Sequence, residues 1–417
     1  MRAVTFNITV PSFLVSKALG RLTNSAVFGA LSGLRYCEVD APAPPADDWA
    51  RIDVTRAGIC GTDLGNLALK ASPILEPFGS FPAVLGHEVV GRVAEAGPAS
   101  GLDPGERVVV DPMISCAVRG FEEAERCPSC RKGFHCTCER AGDPGALEIG
   151  GAPMRPGTTI GYHASLPGGW SESMVAHASQ LFRLPDSIDD DAAVMIEPLA
   201  VGMHAVLASR PLGAGPVLVI GGGPIGLGVV WALRGAGYEG ELVAQVKRGP
   251  EADLARRLGA SDTVTPGDEA RSALVGTGSS AYMPLVGAEV FAGGGFPLIF
   301  DCVGSRQTLD QSLRFASPRG RVAVLGCAAA MRKIDLTLVW AREIRVRGFV
   351  GYGAEEWKGG RVHTFDVVIE ILQATDSPVS DLVTHVLPLA RYKEALGHAF
   401  DRRRSGAIKV CFDPRAA

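Results

Sequence analysis

Over the first 200 residues the apolar positions come in short β-branched runs broken by Gly and Pro. Examples are "WARIDVTRAG", "VLGHEVVGRVAEAG" and "GERVVVDP". Short runs between closely spaced turn signals predict a mostly-β domain. The pattern changes near Glu197. There "AVGMHAVLASR" carries helical spacing, "PVLVI" is an unbroken apolar run, and Gly-rich "GGGPIG" opens a helix to about Gly235. "ELVAQV", "EADLARRLGA", "PLIFDCVG", "GRVAVLG" and "IRVRGFVGY" continue the alternation of strand and helix. Such alternation predicts a doubly wound parallel sheet. Past residue 352, "TFDVVIEILQAT" and "GAIKVCFDP" predict a helix and a strand that return to the first domain. The expected fold is α/β. Residues 1–200 and 352–417 form the mostly-β domain, and residues 201–351 form the doubly wound one.

Residues 10–34 are apolar but interrupted by Lys17, Arg21 and Asn24. A membrane helix needs about 20 apolar residues without such breaks. Phe13, Leu14, Leu19, Leu22, Val27 and Leu31 recur near helical spacing. The stretch is expected to form a short amphipathic helix packed on its own domain. A substrate lid and a membrane or partner face are the other readings.

Composition narrows the function classes. A net charge of −4 argues against a nucleic-acid or anionic-membrane partner, which would want a basic stripe. Ten cysteines could mean a disulfide framework. The chain is long for that and opens with no cleavable secretory pattern, so metal binding in the cytoplasm is expected instead.

"VLVIGGGPIGLGVVWALR" places Gly221, Gly223 and Gly226 between a strand and a helix, with Pro224 and Ile225 inside the turn. The first glycine permits the turn, the second lets backbone approach a pyrophosphate, and the third lets helix and strand pack closely. The helix N-terminus then offers free N–H groups to phosphate. The next strand ends "AQVKRG". It lacks the acid that would bind the ribose 2′-hydroxyl of NAD, and Lys247 and Arg248 stand where a 2′-phosphate would lie. NADP is therefore expected over NAD. A solvated basic turn is the plain alternative.

Cys60 in "GICGTD", His87 and Glu88 in "GHE", and Glu197 in "IEPLA" offer a thiolate, an imidazole and two carboxylates. Zinc accepts all three ligand types. In order along the chain, "AGICGTD", "VLGHEVVGRV", "GERVVV", "EPLAVGMHAV", "VLVIGGGPIGL" and "RRLGA" resemble the zinc-dependent medium-chain alcohol dehydrogenases. The likeness is to the branch of threonine, sorbitol and glucose dehydrogenases, and covers about residues 50–350. The resemblance implies a GroES-like catalytic domain, a Rossmann domain and hydride transfer between NAD(P) and an alcohol or carbonyl small-molecule substrate. It implies that Cys60 and His87 bind a catalytic zinc, that Glu88 binds it directly or through water, and that Glu197 is a second carboxylate. Asp63 would orient His87, and Thr62 would take the alcohol's proton. The family commonly forms homodimers or homotetramers.

Two departures qualify the likeness. Many relatives carry a His three residues after the Thr, to extend the proton relay; here Gly65 stands there, followed by Asn66. The loop "LALKASPILEPFGSFP" is rich in apolar residues where the family builds its substrate pocket, so a bulky or apolar substrate is expected. Trp170 belongs either to that pocket or to the core.

The family's second zinc is structural, in a lobe that would here span about 113–140, for two zinc ions per chain. Cys127, Cys130 and Cys138 fit its spacing, but the first position of the pattern is Ala124. Cys116 is the expected replacement, across a loop whose closure costs little. Cys136 is the other choice; in an extended segment it would share a face with Cys138 and crowd it. Cys37, Cys302, Cys327 and Cys411 are expected in the core, and His204 is expected to pack. Segment 276–296 exceeds a simple connection and would serve a subunit contact or border the cofactor. The rivals to a dehydrogenase are a zinc-assisted lyase or epimerase using the cofactor transiently, and a non-catalytic relative.

Overall fold

The computed structural model describes residues 1–7, 27–28, 32–326, 331 and 333–416. Most of the helix expected over 10–34, and Cys327, lie outside them. The described residues divide into two compact units, Met1–Glu197 with Arg361–Ala417, and Pro198–Gly360.

The first unit is built on a seven-stranded sheet. Its order is Leu181–Arg183, Arg107–Val110, Val89–Ala96, Trp49–Gly58, Lys409–Asp413 and Val383–Pro388, with Ser173–His177 also paired to Trp49–Gly58. Neighbours are antiparallel except Val383–Pro388 beside Lys409–Asp413. The runs of apolar residues in these strands bury Trp49, Ile52, Val54, Val108, Val110, Met174 and Phe412 in one core. The strand Lys409–Asp413 thus joins the first unit's sheet between Trp49–Gly58 and the edge strand Val383–Pro388. A small sheet of Leu34–Glu38, Arg2–Phe6 and Ala83–Val84 lies in the same unit.

The second unit holds six parallel strands in the order Asp262–Val264, Leu242–Gln245, Val217–Ile220, Phe296–Asp301, Ala316–Val324 and Arg345–Gly348. Val217–Ile220 and Leu242–Gln245 are buried at every position, as expected of strands covered on both faces. The chain order 3-2-1-4-5-6 reverses between Val217–Ile220 and Phe296–Asp301, the crevice where such sheets bind ligands. Segment 276–296 contains a hairpin, Ser280–Tyr282 paired with Val290–Ala292, whose tip exposes Met283, Leu285 and Val286. Among the described residues no helix is long and apolar enough to cross a membrane.

Candidate active site

Cys60 caps the N-terminus of the helix Gly61–Leu67, immediately beyond the strand Trp49–Gly58. His87 and Glu88 precede the strand Val89–Ala96, which pairs with it, and Gly58 N–H donates to the Glu88 carbonyl at 2.8 Å. Strand pairing therefore brings three motif residues to one sheet end. One ligand atom from each of Cys60, His87 and Glu88 lies within 4.8 Å of the others. Glu197, in the first turn of the helix Ile196–Leu207, is outside that set but is buried and within electrostatic reach of His87 and Glu88. Thr62 Oγ1 lies 3.6 Å from Cys60 Sγ.

Asp63 is fully buried beneath the cluster. It accepts from the Cys60 backbone N–H at 2.8 Å and from the Tyr162 hydroxyl, and its Oδ1 lies 3.5 Å from His87 Nδ1. Burial works against its charge, but His87 and these donors outweigh burial and hold it below the usual carboxylate range. Burial also lowers the proton affinity of His87, yet Asp63 and Cys60 overcome this and leave it well above the ordinary imidazole value. Glu197 is pushed up to about 7, first by burial, then by Glu88 against the pull of His87. Glu197 and His87 thus hold protons more tightly than usual, and a divalent cation bound beside them would displace those protons. The donor set and its electrostatics fit zinc.

Glu88 has another partner. Its Oε2 accepts from Lys409 Nζ, and both side chains are almost fully buried, at 2% and 1% exposure. Burial alone would lower the Lys409 pKa; Glu88 and Cys60 raise it above the ordinary lysine range. The pair fits because residue 58 is glycine. A Cβ there would sit 2.1 Å from Glu88 Oε2 and 2.8 Å from Lys409 Cε.

In the lobe, the sulfur atoms of Cys116, Cys127, Cys130 and Cys138 all lie within 4.8 Å of one another. Backbone N–H groups of Cys116, Cys127, Cys130 and Glu139 point at these sulfurs at 3.4–3.5 Å. Cys138 is pulled down to about 5, chiefly by the hydrogen bond with Cys130, and Cys116 is pushed up to about 11, chiefly by burial. No described cysteine forms a disulfide. Cys136 stands outside the four. The segment expected to be extended is a 3₁₀ turn, His135–Thr137, with Cys138 as its C-terminal cap. Three residues per turn send positions 136 and 138 in different directions.

At the glycine turn, Gly221 has φ +126°, and Gly223 caps the helix Pro224–Gly235. Pro224 sits in the first helical turn, where a missing N–H costs nothing. Ile225 follows it. A Cβ at Gly226 would lie 1.9 Å from the Gly221 carbonyl oxygen. Lys247 and Arg248 follow the strand Leu242–Gln245, and Arg248 Nη2 pairs with Glu251 Oε1 at 2.6 Å. Glu251 Oε2 also accepts from the Lys247 backbone N–H at 3.4 Å.

Residues 46–186 match the alcohol dehydrogenase GroES-like domain, and residues 224–365 match the zinc-binding dehydrogenase domain. A diacetyl reductase, (R)-acetoin forming, of Saccharomyces cerevisiae is 30% identical over 351 residues, covering 79% of this chain and 74% of that protein. This chain belongs to the zinc-dependent medium-chain alcohol dehydrogenases. An L-threonine 3-dehydrogenase of Anaeromyxobacter sp. (strain K) is 29% identical over 403 residues, 92% of this chain and 96% of that one. Among solved structures, a zinc-binding dehydrogenase from Sinorhizobium meliloti 1021 bound to NADP superimposes with a TM-score of 0.70 at 26% identity, covering 99% of each chain.

The dehydrogenase is thus a zinc-dependent, NAD(P)-dependent oxidoreductase of small-molecule alcohols, with a GroES-like domain and a Rossmann domain. Several of its residues depart from expectation or escaped it. Trp170 is fully buried, donates from Nε1 to the Gly58 carbonyl at 3.1 Å and packs edge-on against Phe412, so it belongs to the core. Cys411 is buried, whereas Cys37 and Cys302 are only half-buried. His204 is buried, with Nδ1 2.5 Å from Glu355 Oε1. Lys409, Tyr162 and Glu251 were not foreseen. A lysine inside the apolar run "AIKVCF" is a sequence signal for a buried counter-charge; nothing local marks Tyr162.

Proposed function

We propose that Cys60 and His87 hold the catalytic zinc of an alcohol dehydrogenase or carbonyl reductase, with Glu88 and Glu197 as its neighbouring carboxylates. The observation that carries this is the convergence of Cys60, His87 and Glu88 within 4.8 Å. Zinc held there would supply Lewis acidity at the substrate oxygen, and a bound nicotinamide would supply the hydride acceptor or donor. Asp63 faces His87 Nδ1, orients the ring and leaves Nε2 for the metal. Lys409 already matches the Glu88 charge, so Glu88 draws a cation less strongly and Cys60 and His87 carry most of the binding. Thr62, beside Cys60, takes and returns the hydroxyl proton. With Gly65 in place of the family's histidine, the relay beyond Thr62 would end in water, the ribose or another group, or be weaker.

In this reading Met1–Glu197 with Arg361–Ala417 is the catalytic domain and Pro198–Gly360 the dinucleotide domain. Cys116, Cys127, Cys130 and Cys138 hold a second, structural zinc, since four thiolates leave no open position. Gly221, Gly223, Pro224, Ile225 and Gly226 cradle the pyrophosphate. NADP is favoured over NAD by Lys247 and Arg248; Lys247 meets the 2′-phosphate, and Arg248 adds to it as its contact with Glu251 opens. Ile74 and Leu75, 75% and 61% exposed in the apolar loop, favour a bulky or apolar substrate. The enzyme works as a cytoplasmic homodimer or homotetramer.

Zinc per chain and NADPH-dependent turnover, measured on wild type, Cys60→Ser and Cys116→Ser, test this. Two zinc ions are expected, one lost with each substitution, and turnover lost with Cys60→Ser. Wild-type protein without zinc, or full turnover in Cys60→Ser, would overturn the reading.

A further inference from the structure

A third donor cluster lies in the first unit, apart from the four cysteines and from Cys60 and His87. One ligand atom from each of Asp111, His135 and His363 lies within 4.8 Å of the others. The three come from separate parts of the chain. Asp111 follows the strand Arg107–Val110, His135 opens the 3₁₀ turn of the cysteine lobe, and His363 caps the helix Thr364–Ala374. Asp111 is 1% exposed, its Oδ1 accepts from the Met113 N–H at 2.8 Å, and its Oδ2 lies 3.4 Å from His363 Nε2. The His135 and His363 rings lie 6.3 Å apart and 26° from parallel.

We propose that Asp111, His135 and His363 form a third metal site, for a divalent transition ion of the zinc, cobalt or nickel class. Two imidazoles and one carboxylate are a donor set these ions accept, and three protein ligands leave a position for water. A simple Asp–His ion pair explains why Asp111 meets His363. It does not explain His135, whose ring makes no hydrogen bond among the described residues yet faces the same carboxylate. Both histidines are only half-buried, which gives an ion a way in.

Two features make this site weaker than the thiolate sites. His363 Nδ1 accepts from the Phe365 N–H at 3.2 Å, so its neutral ring carries the proton on Nε2, and coordination through Nε2 must give up that cap. Arg126 also acts electrostatically on His135 and opposes a cation. The site would fasten the helix Thr364–Ala374 to the lobe, which Arg361 already touches through the Lys132 carbonyl and the Phe134 ring.

The test is metal content of the full chain after equilibration with buffered micromolar free Zn²⁺, and the optical spectrum after equilibration with Co²⁺. His363→Asn is the deciding variant, because it lies outside the lobe and asparagine keeps the helix cap; His135→Gln is the second. Wild type is expected to hold one more ion per chain than either variant. The near-ultraviolet sulfur-to-cobalt bands are expected to be the same in all three proteins, since this site contains no sulfur. Equal metal content in wild type and His363→Asn would overturn the proposal. So would sulfur bands that fall in His363→Asn in step with the lost ion, because the ion lost would then be a thiolate-bound one.

Discussion

Lys409 and Glu88 form an almost fully buried ion pair across 321 residues of sequence, at the edge of the Cys60–His87 cluster. Removing one partner of such a pair costs about 3–5 kcal/mol, because the other charge is left uncompensated, while removing both is often nearly neutral. Lys409→Met is therefore expected to lower unfolding stability by about that amount. Glu88→Gln combined with Lys409→Met should recover most of it. Urea unfolding of the two variants decides the point; a double variant no more stable than the single one would mean that the ion pair is not the source of the loss.

Tyr162 bears on the metal cluster from farther away. Its hydroxyl donates to Asp63, which has no solvent to replace a lost donor. Leaving a buried acceptor unsatisfied costs about 1–3 kcal/mol, and more for a charged group. Tyr162→Phe should destabilise the protein by at least the lower figure and loosen the hold of Asp63 on His87. Zinc retention against a chelator is then expected to fall about tenfold, in the range seen when partners of metal ligands are removed. Unchanged retention would confine Tyr162 to packing.

Gly226 is the strictest position of the glycine turn. Its missing Cβ would lie 1.9 Å from the Gly221 carbonyl oxygen, which is backbone and has nowhere to go. Gly226→Ala should abolish NADPH binding, read by nucleotide fluorescence, while leaving zinc content unchanged because the metal donors lie in the other unit. Gly237→Ala, where a Cβ meets nothing within 4 Å, controls for the added methyl, although its φ of +83° costs some stability. Tight NADPH binding by Gly226→Ala would show that the turn does not hold the pyrophosphate.

These residues differ in how far the sequence announced them. Cys60, His87 and Glu88 sit at the ends of paired neighbouring strands, but in the sequence it was the family resemblance of their short motifs, not a strand pairing, that linked them. The strand–glycine–helix unit is local too, which is why the doubly wound half was legible from the alternation of strands and helices together with the glycine turn. Lys409 and Tyr162 reach the site only through tertiary pairing of distant segments; the apolar run around Lys409 signals a buried counter-charge without naming its partner, and nothing local marks Tyr162. The choice between Cys116 and Cys136 turned on spacing, but the geometry that separates Cys136 from Cys138 is a 3₁₀ turn rather than the extended chain assumed.

Arg248 and Glu251 set a test of cofactor choice. The pair at 2.6 Å is partly buried, and under the proposed reading Glu251 competes with a 2′-phosphate for the guanidinium. Glu251→Gln keeps the shape and removes the competing charge, so NADPH binding should strengthen while NADH binding stays level. Lys247→Ala should weaken NADPH about tenfold, the scale of one charge-assisted phosphate contact of about 1.5 kcal/mol, again with little effect on NADH. Titrations of both nucleotides against the three proteins separate the cases. Equal responses of NADPH and NADH would make the two cations a solvated turn.

His163 gives the fold an acid-sensitive point. It is fully buried, its Nδ1 accepts from the Ser165 N–H at 3.2 Å, and its Nε2 lies 3.0 Å from the Arg155 carbonyl. The neutral ring with its proton on Nε2 satisfies both contacts. A second proton on Nδ1 would confront an N–H. Burial foremost, aided by the charges of Arg119 and Arg155 and opposed by the hydrogen bond to the Arg155 carbonyl, lowers its pKa below the ordinary value, so the unfolded chain takes up the proton more readily than the folded one. Its contribution to stability is present above the unfolded pKa of about 6.5 and is lost as pH falls below it. The urea midpoint should therefore drop between pH 7.5 and 5.5, and the drop should shrink in His163→Gln, which keeps a donor and an acceptor but cannot be protonated. An equal drop in both proteins would place the acid sensitivity in other groups.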